Sequence, residues 1–266
     1  MMRLPEWYRS NAPLAPEEMP RPSASRAIRN WFRARLPDPD VRDKTIVLYA
    51  RRGLRKKTAW AGMFSEFHAV LGALAYAERR GAAGVRVDFR SALYVDRARG
   101  PNWWTYFFSQ AEMPVRSEPP HGDVHLTKAL AKYGRYGGFC DVVNGGTPYL
   151  YPMTYGGEVR RAIAAAAPPR YQVVVATDET DFLDFMRREF GDEHVLYSED
   201  APRARAGGPP VHFDATLGVS NYWKGKAGLI DCLLLARSDY LVKGRSNLSD
   251  ASLAFNADLP YSLCLR

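Results

Sequence analysis

The sequence is poor in the features that would tie it to an oxidising compartment, a membrane or a metal. Its cysteines, Cys140, Cys232 and Cys264, are odd in number and far apart, which argues against a disulfide framework and for reduced thiols in a cytoplasmic protein. No apolar run approaches the ~18 residues of a membrane span, and the N-terminus lacks the apolar core of a signal peptide. The five histidines show no metal-binding spacing. His121 and His125 are four apart, but they follow Pro119-Pro120 and read as loop, so no metal is expected. Neither GxGxxG nor a Walker pattern occurs. Basic excess is also missing from most of the chain. Residues 1–60 hold 11 Arg and 3 Lys against 6 acidic residues, a net of +8, whereas the remainder holds 23 basic and 23 acidic residues. A basic groove for nucleic acid across the fold is therefore poorly supported.

What is present reads as strands alternating with helices. Five prolines make residues 1–22 irregular, and Ser23–Leu36 follows as a basic amphipathic helix. Such a helix can lie on an anionic membrane surface, although packing on its own domain is the commoner outcome. Thr45–Ala50 reads as a strand, and a basic loop, Arg51–Lys57, follows it. A helix from about Phe64 to Arg80 is stopped by Gly81 and Gly84, and Val85–Phe89 returns as a strand. This is a βαβ unit with a glycine-containing turn at the head of its helix. Trp103 and Trp104 can stack on a base or sugar, but adjacent tryptophans after a Gly-Pro turn are more often an anchoring core element. Residues 109–157 are rich in Gly, Pro and Tyr and show little periodicity.

The second half is regular. It offers a helix over Glu158–Ala167, a strand over Tyr171–Ala176, a helix lined by Phe182, Leu183, Phe185, Met186 and Phe190, and a strand over His194–Tyr197. A loop rich in Arg, Ala, Gly and Pro over 200–210 leads to the stretch Gly225–Ser249. There Ala227, Ile230, Leu233, Leu234 and Leu235 are expected to form one apolar helical face, with Gly225 as a flexible start. A strand over 239–242 and the loop Lys243-Gly244-Arg245-Ser246-Asn247 follow. Gly244 permits a turn, Lys243 and Arg245 bring positive charge, and Ser246 or Asn247 can cap a helix whose free N–H groups suit an anion. The same residues also fit an ordinary capped helix after a turn. The fold class is α/β, and ligands in such sheets bind beyond the C-terminal ends of strands, where Asp178 and the Gly244–Asn247 loop both fall.

With these residues placed, the chain resembles the fucosyltransferase-like glycosyltransferases, which include the bacterial nodulation-type α-1,6-fucosyltransferases and, more distantly, the protein O-fucosyltransferases. The resemblance covers about 45–115 and 156–266. Its carriers are Gly62-Met-Phe-Ser-Glu-Phe-His, Val174-Val-Ala-Thr-Asp-Glu, and Leu229-Ile-Asp-Cys-Leu-Leu-Leu-Ala-Arg-Ser-Asp-Tyr-Leu-Val followed by Ser246-Asn247. It implies two Rossmann-like halves of GT-B type facing across a cleft, at 45–155 and 156–266, after a basic extension over 1–44. It also implies a GDP-sugar donor, inversion at the sugar, a glycan or small-molecule acceptor, and no cofactor or metal. By position Asp231 matches the guanine-binding carboxylate, Ser246 and Asn247 match the loop against the diphosphate, and Asp178 matches the acidic end of its strand. Glu66 and His68 start a helix facing the expected cleft, and either can take the acceptor proton.

One departure stands out. The family opens its C-terminal half with His-x-Arg-x-Thr-Asp, and no such motif occurs here. The nearest text, Val124-His125-Leu126-Thr127-Lys128, reads as part of the Tyr/Gly-rich connector. A second possibility is that the segment bearing the motif is missing, with Tyr155-Gly156-Gly157-Glu158 at the junction. The second half then starts on a helix unless a strand lies in 139–152, around Phe139–Val143. A positive charge beside the leaving diphosphate is usually a large catalytic contribution; Arg245 and Lys243 lie in the loop expected to face it, either can substitute, and Arg245 is the expected one. The alternative is a catalytically impaired relative that binds a nucleotide sugar or a partner.

Overall fold

The computed structural model describes residues 40–49, 62–90, 93–110, 123–125, 152–205, 208–244 and 246–264. The expected helix at 23–36, the basic loop at 51–57, the candidate strand at 139–143 and Arg245 lie outside the described residues. The chain divides into two compact units, Met1–Gly146 and Thr147–Arg266.

In the first unit, β1 (Thr45–Tyr49) is flanked by β2 (Gly84–Asp88) and β3 (Asp123–His125), all parallel, in the order β2-β1-β3. Ile46, Val47 and Leu48 are each at most 1% exposed, so β1 is apolar on both faces, as a central parallel strand must be. Val124 and His125 are therefore part of a strand of this sheet and not connector, while residues 126–128 lie outside the described residues. Helix α1 (Met63–Arg80) joins β1 to β2 and buries Phe67, Val70, Leu71 and Ala77. Gly81 ends it with φ 68°, and the Ala82 N–H bonds the Ala77 carbonyl at 2.9 Å, closing the last turn.

β2 is an edge strand, and side-chain amides cover its open side. Asn102 Oδ1 accepts the Phe89 N–H at 2.9 Å, and Asn102 Nδ2 donates to the Val87 carbonyl at 2.7 Å. Gln110 accepts the Val87 N–H at 3.2 Å and donates to the Val87 carbonyl. Trp103 and Trp104 are 0% and 3% exposed, packed among Phe67, Phe89, Tyr94 and Phe108. Their place is the core of this unit.

The second unit contains helix α2 (Pro152–Ala166), β4 (Val173–Val174), α3 (Thr180–Phe190), β5 (Val195–Leu196), α4 (Asn221–Ala236), β6 (Leu241–Lys243), α5 (Asn247–Phe255) and β7 (Tyr261–Leu263). β4 pairs with β5 and β6 with β7, both parallel, with α3 and α5 as their crossovers. Val173, Val175, Leu183, Met186, Phe190 and Val195 form one core, with Phe182 and Phe185 packed against it. The architecture is mixed α/β.

Two expectations about helices change. α2 begins at Pro152, suited to a first helical position, and runs unbroken through Tyr155, Gly156 and Gly157. Gly156 is buried there, and a Cβ would sit 3.3 Å from the Phe185 ring. α4 begins at Asn221 behind a Ser220 cap that accepts the Trp223 N–H, so Gly225 lies inside the helix and not at its start. Its buried face is Gly225, Ala227, Asp231, Cys232, Leu235 and Ala236, while Ile230 and Leu234 are 37% and 39% exposed. The expected leucine face is thus split, and Asp231 belongs to the buried side.

Candidate functional site

Asp178 follows β4, and Asp231 lies on the buried face of α4. The loop after β5 brings polar groups to both. That loop is tied down where it passes the start of α3: the Ala204 N–H donates to the Asp178 carbonyl at 2.7 Å, and the Thr180 N–H donates to the Ala204 carbonyl at 3.0 Å. The Thr180 N–H at the start of α3 is thus met by the loop, and just before the helix Thr177 Oγ1 accepts the Glu179 N–H at 3.1 Å. Arg203 in the same loop donates to the Ser198 carbonyl at 2.7 Å and the Ala201 carbonyl at 3.2 Å, with its guanidinium 5.1 Å from the Tyr197 ring centre. These contacts fix the charge beside Asp231.

Asp231 is 6% exposed, and among the described residues no donor hydrogen-bonds its carboxylate. Burial pushes it up to about 6; Arg203 pulls it down and Asp178 pushes it up again. His212, from the same loop, is held below its ordinary value by burial, with Asp178 opposing and Lys224 reinforcing. The structure thus gathers Asp178, Asp231, Arg203 and His212. Asp231 feels the Arg203 charge and the Asp178 carboxylate, and Asp178 in turn acts on the His212 imidazole.

The Lys243–Asn247 loop is arranged differently from an open anion loop. Lys243 is 5% exposed, and its ammonium pairs with Asp250 on α5, which is 0% exposed. The Gly244 backbone is buried and hydrogen-bonds the Tyr155 hydroxyl of α2; burial foremost pushes that phenol up to about 12. Ser246 occupies the cap position of α5 without a side-chain cap bond, and Asn247 is the first helical residue. The backbone therefore places a helix N-terminus at Ser246 and Asn247, while the lysine charge expected there is compensated inside.

In the first unit Glu66 lies in the first turn of α1 and accepts the Trp103 indole N–H at 2.9 Å on Oε2. Burial pushes its carboxyl up to about 8, and the indole pulls it down. His68 is 2% exposed and meets Phe67 edge-on at 6.0 Å. Of the two expected proton acceptors, Glu66 is the half-buried one and His68 the core residue.

Sequence reasoning missed Arg203 and His212 because their loop has no periodicity, and it missed Trp103 as a partner because Glu66 lies 37 residues away. Among the described residues no helix is long and apolar enough to cross a membrane, and no group of three or more His, Cys, Asp or Glu side chains is placed to hold a metal. The chain is a mixed α/β protein with polar clusters near the C-terminal ends of its parallel strands. No family model, no curated protein and no solved structure matches it.

Proposed function

We propose that the protein is an inverting glycosyltransferase of GT-B type that takes a sugar, fucose by the sequence resemblance, from a GDP-sugar to a glycan or small-molecule acceptor. The observation that carries this reading is Asp231, a buried carboxylate that no described residue hydrogen-bonds. Guanine presents adjacent N1–H and amino donors that match a carboxylate in bidentate fashion. Adenine alternates donor and acceptor, and uracil flanks its single N–H with two carbonyls, so neither offers that pair. Asp178 belongs to the same donor region, with Ser246 and Asn247 toward the diphosphate, while the Gly244 backbone is engaged by Tyr155.

In the transfer step the acceptor hydroxyl gives its proton to the Glu66 carboxylate while its oxygen bonds the anomeric carbon. The bond from that carbon to the diphosphate oxygen breaks, and the electron pair leaves with GDP. Arg245 is the cation assigned to the β-phosphate, and Arg245→Ala is expected to slow transfer about 100- to 1,000-fold. A second reading, a nucleotide-sugar-binding relative without turnover, is favoured by the Lys243–Asp250 pair, which removes one of the two loop cations from any anion.

A thermal shift with GDP, UDP and ADP, with donor hydrolysis followed in the same samples, tests both. GDP alone is expected to raise the melting temperature, with hydrolysis. Stabilisation without hydrolysis selects the second reading, and no preference for GDP overturns the base assignment.

A further inference from the structure

Trp103 is more constrained than a core tryptophan needs to be. It is fully buried, its backbone N–H donates to the Phe89 carbonyl at 3.0 Å just past β2, and its ring is enclosed by Phe89, Tyr94 and Trp104. Asn102, the preceding residue, is tied to Val87 and Phe89. The indole N–H is therefore fixed relative to the C-terminal end of the sheet, the end where parallel sheets bind ligands. α1 is anchored to the same end, because its Met63 N–H donates to the Tyr94 hydroxyl at 2.9 Å.

The indole donates to Oε2 of Glu66, and among the described residues no donor reaches Oε1. Among the described residues, the titratable groups nearby in the fold are His68 on the same helix and Tyr94, which packs on Trp103 and whose hydroxyl accepts the Met63 N–H. Among the described residues no charged group contributes to the state of Glu66; burial raises its pKa and the indole lowers it. A rigid neutral donor on one oxygen fixes the carboxyl plane and leaves the other oxygen available for a proton.

We infer that Trp103 is the positioning residue for Glu66, its indole N–H holding Oε2 so that the carboxylate is presented as proton acceptor. This rests on the transferase reading above, and it assigns a purpose to the Trp103-Trp104 pair beyond packing. An N–H donor stabilises the carboxylate over the acid, so without it Glu66 would ionise only at higher pH.

The test uses the full-length protein labelled with 15N and with 13C-carboxyl glutamate. The Trp103 indole resonance is assigned, among six tryptophans, by its loss in Trp103→Phe. It is expected to move through one titration step near pH 8 and to stay flat in Glu66→Gln, which keeps an acceptor for the indole. A flat indole resonance in the parent protein overturns the inference. In Trp103→Phe the Glu66 midpoint and the rising limb of the pH–rate profile are both expected to move up by about one pH unit, with the plateau retained. A uniform loss at every pH marks a merely structural tryptophan and overturns it. If Trp103→Phe does not fold, Glu66→Gln decides: kcat is expected to fall at least ~100-fold with the donor KM unchanged, and an unchanged kcat overturns the inference. An indole titration with no turnover of any GDP-sugar leaves Glu66 and Trp103 coupled but overturns both the transferase reading and the role built on it.

Discussion

Among the described residues two carboxyl groups, Glu66 and Asp231, hold their protons more tightly folded than unfolded, and the largest cause in each is burial disfavouring the anion. Glu66 ionises near 4.5 in an ordinary setting and near 8 in the fold. Its stabilising contribution is complete below pH 4.5 and is lost as pH rises through 8. Urea midpoints of the parent protein are expected to fall across that window, and Glu66→Gln should remove this part of the dependence. For Asp231 the window runs from 3.8 to about 6, and Asp231→Asn should flatten the curve there while leaving the Glu66 window intact. The same Asp231→Asn variant is expected to lose about 10- to 100-fold in GDP affinity by calorimetry, the worth of one charge-assisted hydrogen bond. A variant that bound GDP as tightly as the parent would remove Asp231 from the site.

At the level of elements, the junction of β6 with α5 is held by an ion pair that neither element signals. Lys243 ends the strand, Asp250 lies in the first turn of the helix, and both are buried. The Lys243 ammonium also lies 5.7 Å from the Tyr261 ring centre on β7. Removing one charge leaves the other buried and uncompensated, at a cost of about 3–5 kcal/mol. Lys243→Met is therefore expected to lower the urea midpoint sharply, while Lys243→Met with Asp250→Leu should recover much of the loss. If the single variant unfolds like the parent, the pair is not buried as described. Spacing made the helix after Gly244 legible but not the destination of its lysine, because Lys243 and Asp250 meet only once the strand is buried. α4 teaches the same point from the other side. Its apolar residues are spread around the helix, so pattern alone placed Ile230 and Leu234 inside, whereas packing buries Asp231 and Cys232 and leaves those two exposed.

For the whole molecule, charge is the property most directly carried by the sequence. The excess of +8 lies within residues 1–60, and five of its cations, Arg51, Arg52, Arg55, Lys56 and Lys57, fall in seven positions. Replacing those five by Gln is expected to release the protein from heparin at distinctly lower salt, because polyanion binding scales with the number of cations engaged. Retention at the parental salt concentration would place the polyanion contact elsewhere. The alternation of strand and helix, the βαβ unit from β1 to β2 and the apolar run of β1 were determined by the sequence itself. Periodicity and glycine stops are local features, legible without knowledge of any tertiary contact. Only the tertiary structure decided that Trp103 reaches Glu66, that Arg203 and His212 join Asp178 and Asp231, and that Lys243 turns inward to Asp250. Each of these depends on desolvation and on partners remote in the chain or carried by different elements, and neither is encoded in any single stretch of residues.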